Sequence, residues 1–260
     1  MLQVMPVKEK AIFNWSGGKD SALCLQRILR EQRYEVMCLL TTISQPYERI
    51  SMHGVRTELL DIQAERIGLP LIKIPIPEMP TMEVYDNTMA AALTDLKRRG
   101  ATASVFGDIF LEDLRKYRED KLAELDLTGV FPLWKIPTAS LIREFIDSGF
   151  RAIVTCVNDK YIDKSFAGRI IDDAFLNDLP KGVDPCGENG EYHSFVFDAP
   201  FFSSPIQFEK GEMVHRKYST SAQDGPSVNS DSPFENGFWY CDLVASALQP
   251  PPNLPHSGEG

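Results

Sequence analysis

"AIFNWSGGKDSALCLQRILRE", residues 11–31, is the stretch whose reading decides the fold. Ala11 to Trp15 is a short apolar run of the kind that forms a buried strand, and Asp20 to Glu31 carries apolar residues at helical spacing. Between them stand Ser16, Gly17, Gly18, Lys19, Asp20 and Ser21. A helix N-terminus presents N–H groups without partners and a partial positive charge, which suits an anion. Gly17 and Gly18 let the backbone curl so that successive N–H groups point inward as an anion nest. Ser16 and Ser21 add hydroxyl donors, and Lys19 adds a positive charge. A carboxylate at Asp20 repels phosphate unless a cation intervenes, which makes Asp20 a candidate helper for Mg²⁺. The plainer alternative is a βα turn capped by Ser16, which calls for neither two glycines nor a lysine. The spacing matches neither G-x-x-x-x-G-K-[ST] nor G-x-G-x-x-G.

Working outward, strand-like and helix-like segments alternate. Val36–Thr42 reads as a strand, Val55–Ile67 as a helix stopped by Gly68, and Leu71–Ile76 as a strand. Met82–Arg99 is helical to Gly100, Ser104–Phe106 is a short strand leading into "GDIF", and Glu112–Glu124 is a charged helix. Strands separated by helices predict βαβ units with right-handed crossovers. The expected fold is α/β: a doubly wound, mostly parallel five-stranded sheet, Rossmann-like, plus a smaller C-terminal α/β domain. Ligands of such sheets bind beyond the carboxyl ends of the strands where strand order reverses. "SGGKDS" and "GDIF" both fall there.

The second half reads as a helix at Ser140–Ser148, a strand at Ala152–Val157, a helix at Phe166–Leu179, and strands at Ser194–Phe197 and Phe238–Val244. The expected division is 8–125 for the nucleotide-binding domain and 126–248 for the substrate-binding domain, with a variable loop at 219–233 and a disordered tail at 249–260.

Composition narrows the class. A hydrophobic fraction of 43% with 10% aromatics suits a packed soluble core. No apolar run reaches membrane-spanning length, and residues 1–10 lack a signal-peptide pattern, so the cytoplasm is the expected setting. The five cysteines contain no C-x-x-C pair, which supports neither a zinc site nor a disulfide framework. A net charge of −10 argues against nucleic acid as a partner.

"SGGKDS" after an apolar strand resembles the PP-loop, S-G-G-x-D-S, of the N-type ATP pyrophosphatases in the adenine nucleotide alpha hydrolase-like (HUP) superfamily. Three further stretches, "SMHGVRTELLDIQAERIGLPL" (51–71), "GDIFLEDLRKYRE" (107–119) and "CGENGEYHSFVFDAPFF" (186–202), resemble the diphthine–ammonia ligase family in that order. The likeness spans residues 11–208. It implies an AMP-forming amide ligase in which ATP adenylates a carboxylate and ammonia displaces AMP. The cofactors implied are ATP and Mg²⁺, and the partners are ammonia and a carboxylate acceptor, either diphthine on elongation factor 2 or a small molecule. Other PP-loop chemistry, such as tRNA modification, and a non-catalytic nucleotide sensor are the alternatives. A homodimer is left open.

The resemblance assigns nucleotide contact to Ser16, Gly17, Gly18, Lys19, Asp20, Ser21, Thr41, His53 and Gly107. Substrate contact is expected of Asp108, from its place after the fourth strand, of Glu112 and Arg115, from their shared helix face, and, by resemblance, of Gly187, Glu188, Asn189, Gly190 and Glu191; catalysis is expected of Lys19, Asp20, Glu188 and Glu191. Each has a plainer reading: a solvated acidic turn for Glu188 and Glu191, a loop histidine for His53, and an ion-pair ladder for Glu112, Arg115 and Glu119 on one helix face. Asn189 stands where the family pattern G-E-G-G-E has its middle glycine, and asparagine tolerates positive φ. Together with His193 and "DPC", it resembles a bacterial branch of the family. Cys186 suggests a nucleophile, but its neighbours in sequence are acids, which do not lower a thiol pKa.

Overall fold

The computed structural model describes residues 8–47, 49–50, 54–77, 80–219 and 235–247. His53, the tail at 249–260 and all of the expected 219–233 loop except Ser219 lie outside the described residues.

β1 (Glu9–Asn14) forms the centre of the first sheet, with β2 (Tyr34–Ser44) on one side and β5 (Ala103–Val105) on the other. β4 (Leu71–Ile76) lies outside β2, and β6 (Thr128–Val130) outside β5. All five strands are parallel. β3 (Arg49–Ile50) is a short antiparallel addition to the end of β2. Order reverses between β1 and β5, because the chain leaves β4 at one edge and returns beside β1 through α3 (Met82–Arg98). The crevice between the ends of β1 and β5 is therefore the switch point at which such sheets bind ligands.

Alternation along β1 explains the layering. Ala11 and Phe13 join a core on one face of the sheet, and Ile12 joins a separate core on the other. That second core lies under α3 and α4 (Glu112–Ala123), through Leu93, Leu96 and Leu122. The first core contains α1 (Lys19–Glu31) and α2 (Thr57–Ile67), and it continues into the second half of the chain. A strand buried on both faces carries apolar residues on both, which is why Ala11, Ile12 and Phe13 run without polar alternation.

The second sheet is antiparallel, in the order β8 (Tyr192–Asp198), β7 (Arg151–Asn158), β10 (Glu235–Ala245), β9 (Phe208–Ser219). It packs with α5 (Thr138–Asp147) and the short α6 (Asp173–Asp178). Ala152, Ile153, Phe195 and Val196 share one continuous core with Phe13, Leu25 and Leu59 of the first half. α1 is thus enclosed between two sheets, which accounts for its buried run from Ser21 to Gln26.

The boundaries of β1, β2, β4, β5 and helices α1–α5 fall within a few residues of the expected ones. Three differences have physical causes. The parallel sheet runs on to β6, past the expected division at 125/126; three residues are too few to show a period. Phe166–Leu179 is not one helix. Gly168 adopts φ +80°, its N–H donates to the Val154 carbonyl, and Ile170 bridges Ile153, so residues 168–171 fill the edge of β7 that β10 leaves open. Only after Asp172, whose carboxylate accepts from Phe175 N, does α6 begin. β9 had no counterpart in the sequence reading, because "FEKGEMVHRKYS" is too polar to show an apolar face.

Candidate active site

The 16–21 loop is shaped by groups outside it. Gly17 sits at φ +75°, and a Cβ there would stand 2.7 Å from Gln63 Oε1. The Gly17 carbonyl accepts from Val196 N at 2.9 Å and from Gln63 Nε2 at 3.0 Å. Gln63 is fully buried; its Nε2 also donates to the Val196 carbonyl, and its Oε1 accepts from Trp15 Nε1. The N–H of Lys19 donates to Ser194 Oγ of β8 at 3.2 Å. With its carbonyl turned away toward Gln63 and β8, the loop leaves the first turn of α1 facing the crevice. The Asp20 and Ser21 N–H groups in that turn are beyond reach of any helical carbonyl. Ser16 Oγ donates to Ser21 Oγ, which donates to the Gly18 carbonyl.

The 184–192 loop is shaped by its own side chains. Glu191 is buried and points into the loop, where its carboxylate accepts from Asp184 N, Asn189 N and Asn189 Nδ2. Asp184 accepts from Cys186 N and Thr138 Oγ1. Gly187 and Gly190 take the left-handed conformation at φ +72° and +81°, whereas Asn189 has no positive φ. Asn189 therefore serves the loop through its amide, not through tolerance of left-handed backbone. Glu191 braces the loop and is absent from the cleft wall, while Glu188 is on it.

Electrostatics separates the groups further. Lys19 is 4% exposed, with Nζ 2.7 Å from Asp20 Oδ2 and 5.1 Å from the centre of the Tyr192 ring. Burial opposes its charge, but Asp20, Tyr192, Cys186 and Glu188 outweigh burial and hold the ammonium protonated well above the ordinary lysine range. Burial, reinforced by Asp20, pushes the Glu188 carboxyl up to about 8. Burial also raises the Cys186 thiol, whose Sγ donates to the Thr138 carbonyl. A protonated thiol used as a donor is structural and is no nucleophile.

Both loops line a cleft of about 1080 Å³ that also takes in Thr41 of β2, Gly107 and Asp108. Gly107 makes a close approach, but to protein: a Cβ there would lie 3.2 Å from the Asp20 and Ser21 backbone. Asp108 faces Arg118, whose Nε is 3.3 Å from Oδ2 without hydrogen-bond alignment; burial raises its pKa. Glu112 and Arg115 are not on the wall. Glu112 is exposed and pairs with Lys135, and the Arg115 guanidinium lies over the Phe131 and Trp134 rings at 4.7 and 4.5 Å. That stacking turns the expected face of α4 outward, and Leu114, Tyr117, Arg118 and Lys121 face the cleft in its place. Gln63, Asp184 and Arg118 were missed from the sequence: Gln63 acts only through partners distant in the chain, and nothing local marks which face of α4 carries Arg118 toward Asp108. "D-P-C-G-E-N-G-E" nonetheless holds the Asp184 signal, an aspartate placed to bond the N–H two residues on.

The geometry fits a nucleotide with its metal. The buried Lys19 ammonium and the Asp20 carboxylate sit together on the cleft wall at the start of α1. Among the described residues, no three His, Cys, Asp or Glu side chains converge as metal ligands. Asp20, on the cleft wall at the start of α1, is the carboxylate placed to share a magnesium ion with phosphate oxygens. Among the described residues, no helix is long and apolar enough to cross a membrane.

Residues 9–127 match the model of the diphthamide synthase N-terminal domain, and residues 137–221 that of its C-terminal domain. The chain is similar to the diphthine–ammonia ligase of Rattus norvegicus, 27% identical over 229 residues, covering 76% of this chain and 82% of that protein. The Danio rerio enzyme of the same name is 29% identical over 224 residues, covering 76% of this chain and 86% of that protein. The one from Schizosaccharomyces pombe is 24% identical over 241 residues, 81% of this chain and 39% of that protein. With two domain models matching in order across the two sheets that build the cleft, the chain belongs to the diphthamide synthase (diphthine–ammonia ligase) family.

Proposed function

We propose that the chain is an ATP-dependent, AMP-forming amide ligase that joins ammonia to a carboxylate. The observation that carries the reading is the meeting of the two loops, where the buried Lys19 ammonium of one faces the half-buried Glu188 carboxyl of the other. The acceptor carboxylate attacks the α-phosphorus of ATP; the new P–O bond forms as the bond to the β-phosphate oxygen breaks, releasing pyrophosphate. Lys19 and the first-turn amides of α1 stabilise the charge growing on that leaving group. Ammonia then attacks the acyl carbon, the bond to AMP breaks, and the surplus proton on nitrogen passes to Glu188, whose raised pKa suits a base near neutrality. Mg²⁺, held by Asp20 and the phosphates, would supply charge neutralisation at the transferring phosphorus. Glu191 acts on this chemistry only through the shape of the loop.

The test is release of AMP and pyrophosphate from Mg·ATP with ammonium across a panel of carboxylates, diphthine-bearing elongation factor 2 among them. Lys19→Ala should lower AMP release by about 10²–10³-fold. ATP binding without AMP release for any acceptor would sink the ligase reading, and activity untouched by Lys19→Ala would sink the loop assignment.

A further inference from the structure

β10 sends two side chains across to the first half of the chain. Tyr240 and Asp242 stand two apart and so share one face of the strand; both meet the segment that joins β3 to α2. The Asp242 carboxylate accepts from Arg49 Nη1 at 2.7 Å on Oδ1 and from Arg56 Nη2 at 2.6 Å on Oδ2, with Arg56 Nε 3.2 Å from Oδ1. Burial works against its charge, but the two arginines outweigh burial and hold the carboxyl below its ordinary range. Arg49 Nη1 also donates to the Gly54 carbonyl at 2.6 Å. Gly54 takes φ +67° against the Tyr240 ring, where a Cβ would stand 2.7 Å from Cδ1. Ile50 N donates to the Val55 carbonyl and Gly54 N to the Ile50 carbonyl, so the segment is tied at both ends.

The neighbouring strand is built to admit this carboxylate. The register of β9 against β10 slips between Cys241 and Leu243, which leaves Gly211 and Glu212 opposite Asp242 alone. Such a bulge re-aims a side chain. A Cβ at Gly211 would lie 3.2 Å from Asp242 Cβ and Oδ2, so the glycine keeps that space open.

We propose that Asp242 is a positioning residue for the nucleotide: acting from the antiparallel sheet through Arg49 and Arg56, it holds the β3–α2 segment as the β2-side wall of the cleft. The inference rests on the reading of the cleft as a nucleotide site. It goes further by tying nucleotide affinity to a carboxylate that is itself absent from the cleft wall. Two observations support it. A half-buried carboxylate among guanidinium groups adds little net stability, and what its aligned bonds fix is direction. That direction leads to the cleft on two routes. Ile50, buried next to Arg49, stands on the wall with Thr41 and Thr42 of β2. Arg56 is the N-cap of α2, the helix that carries Gln63 to the Gly17 carbonyl.

The experiment measures binding, so it stands apart from turnover. Full-length protein is titrated calorimetrically with α,β-methylene-ATP, which cannot be cut at the α–β linkage, in excess Mg²⁺. Asp242→Ala should weaken binding about tenfold. Adding Arg56→Ala to it should weaken binding little further, because both act through one contact. Gly211→Val keeps every charged group and crowds the carboxylate, and it should cost about threefold; thermal melts confirm that each variant is folded. Amide exchange in the unliganded Asp242→Ala protein should quicken about tenfold at 49–56 and stay unchanged in β1 and β7. Glu144→Ala is the control: its pair with Arg27 also joins the two halves, but neither residue is on the cleft wall, and affinity should stay within about twofold. Unaltered affinity in Asp242→Ala, an equal loss in Glu144→Ala, or a loss without faster exchange at 49–56 would overturn the proposal. Failure of the ligase reading would show separately, as an absence of AMP with ordinary ATP despite nucleotide binding that depends on Asp242.

Discussion

Two glycine-containing loops face each other across the cleft, and they hold their shapes by opposite means. The 16–21 loop borrows its supports: Gln63 from α2, and Ser194 and Val196 from the antiparallel sheet. The 184–192 loop is held mostly from within, with Glu191 and Asp184 gathering its own amides and Thr138 of α5 as its outside support. A loop held from outside is only as well formed as the contact between the two sheets. A loop held from inside can vary toward the cleft while its brace stays fixed. The expectation is that nucleotide binding reports on the packing of the whole molecule, and the acceptor step on a few local residues.

The largest effect belongs to the borrowed support. Gln63→Leu leaves the Trp15 indole N–H buried without its acceptor and the Val196 carbonyl without its donor, at a cost of about 3 kcal/mol in urea unfolding. ATP affinity should fall with it. Glu191→Ala should cost less, about 2 kcal/mol, because two of its three donors come from the exposed Asn189 and can turn to water. Here ATP binding should persist while AMP release collapses; a variant that loses ATP affinity instead would reverse the comparison between the loops.

A pH series sharpens it next. Glu188 has an ordinary pKa of 4.5 and is raised to about 8 in the folded chain, so the folded state binds more protons between those values. Its contribution to stability is therefore full below pH 4.5 and declines as pH rises to about 8. Glu188→Gln should remove that downward slope, at most about 1.4 kcal/mol per pH unit, from the unliganded protein. The same slope in the variant would mean that Glu188 is not the group responsible. The smallest effect is expected at Cys186→Ala: about 1 kcal/mol of stability for the lost sulfur, and AMP release within about twofold. A hundredfold loss would return the thiol to the chemistry.

Much of the first sheet was legible because apolar runs, glycine stops and helical spacing all act within a dozen residues. Leu71–Ile76 matched its strand, and Gly68 stopped α2 with φ +77°. The shape of the 16–21 loop was legible where motif and backbone coincide: Gly17 takes positive φ, and Ser16, Lys19, Asp20 and Ser21 lie on the cleft wall. It was illegible where tertiary packing chooses between faces. The spacing of Glu112, Arg115 and Glu119 marks one side of α4, but only the rings of Phe131 and Trp134 show which side faces away. Glu188 and Glu191 likewise look equivalent in "GENGE", and burial alone separates the residue on the wall from the brace.

The doubly held Gly17 carbonyl has a consequence for the cost of binding. Two donors fix the plane of the 17–18 peptide, so that amide cannot rotate between conformations as glycine linkages in open loops do. Its ordering entropy is spent when the chain folds and is not charged again when a triphosphate arrives. On the proposed ligase reading, nucleotide association then has less of this loop left to order.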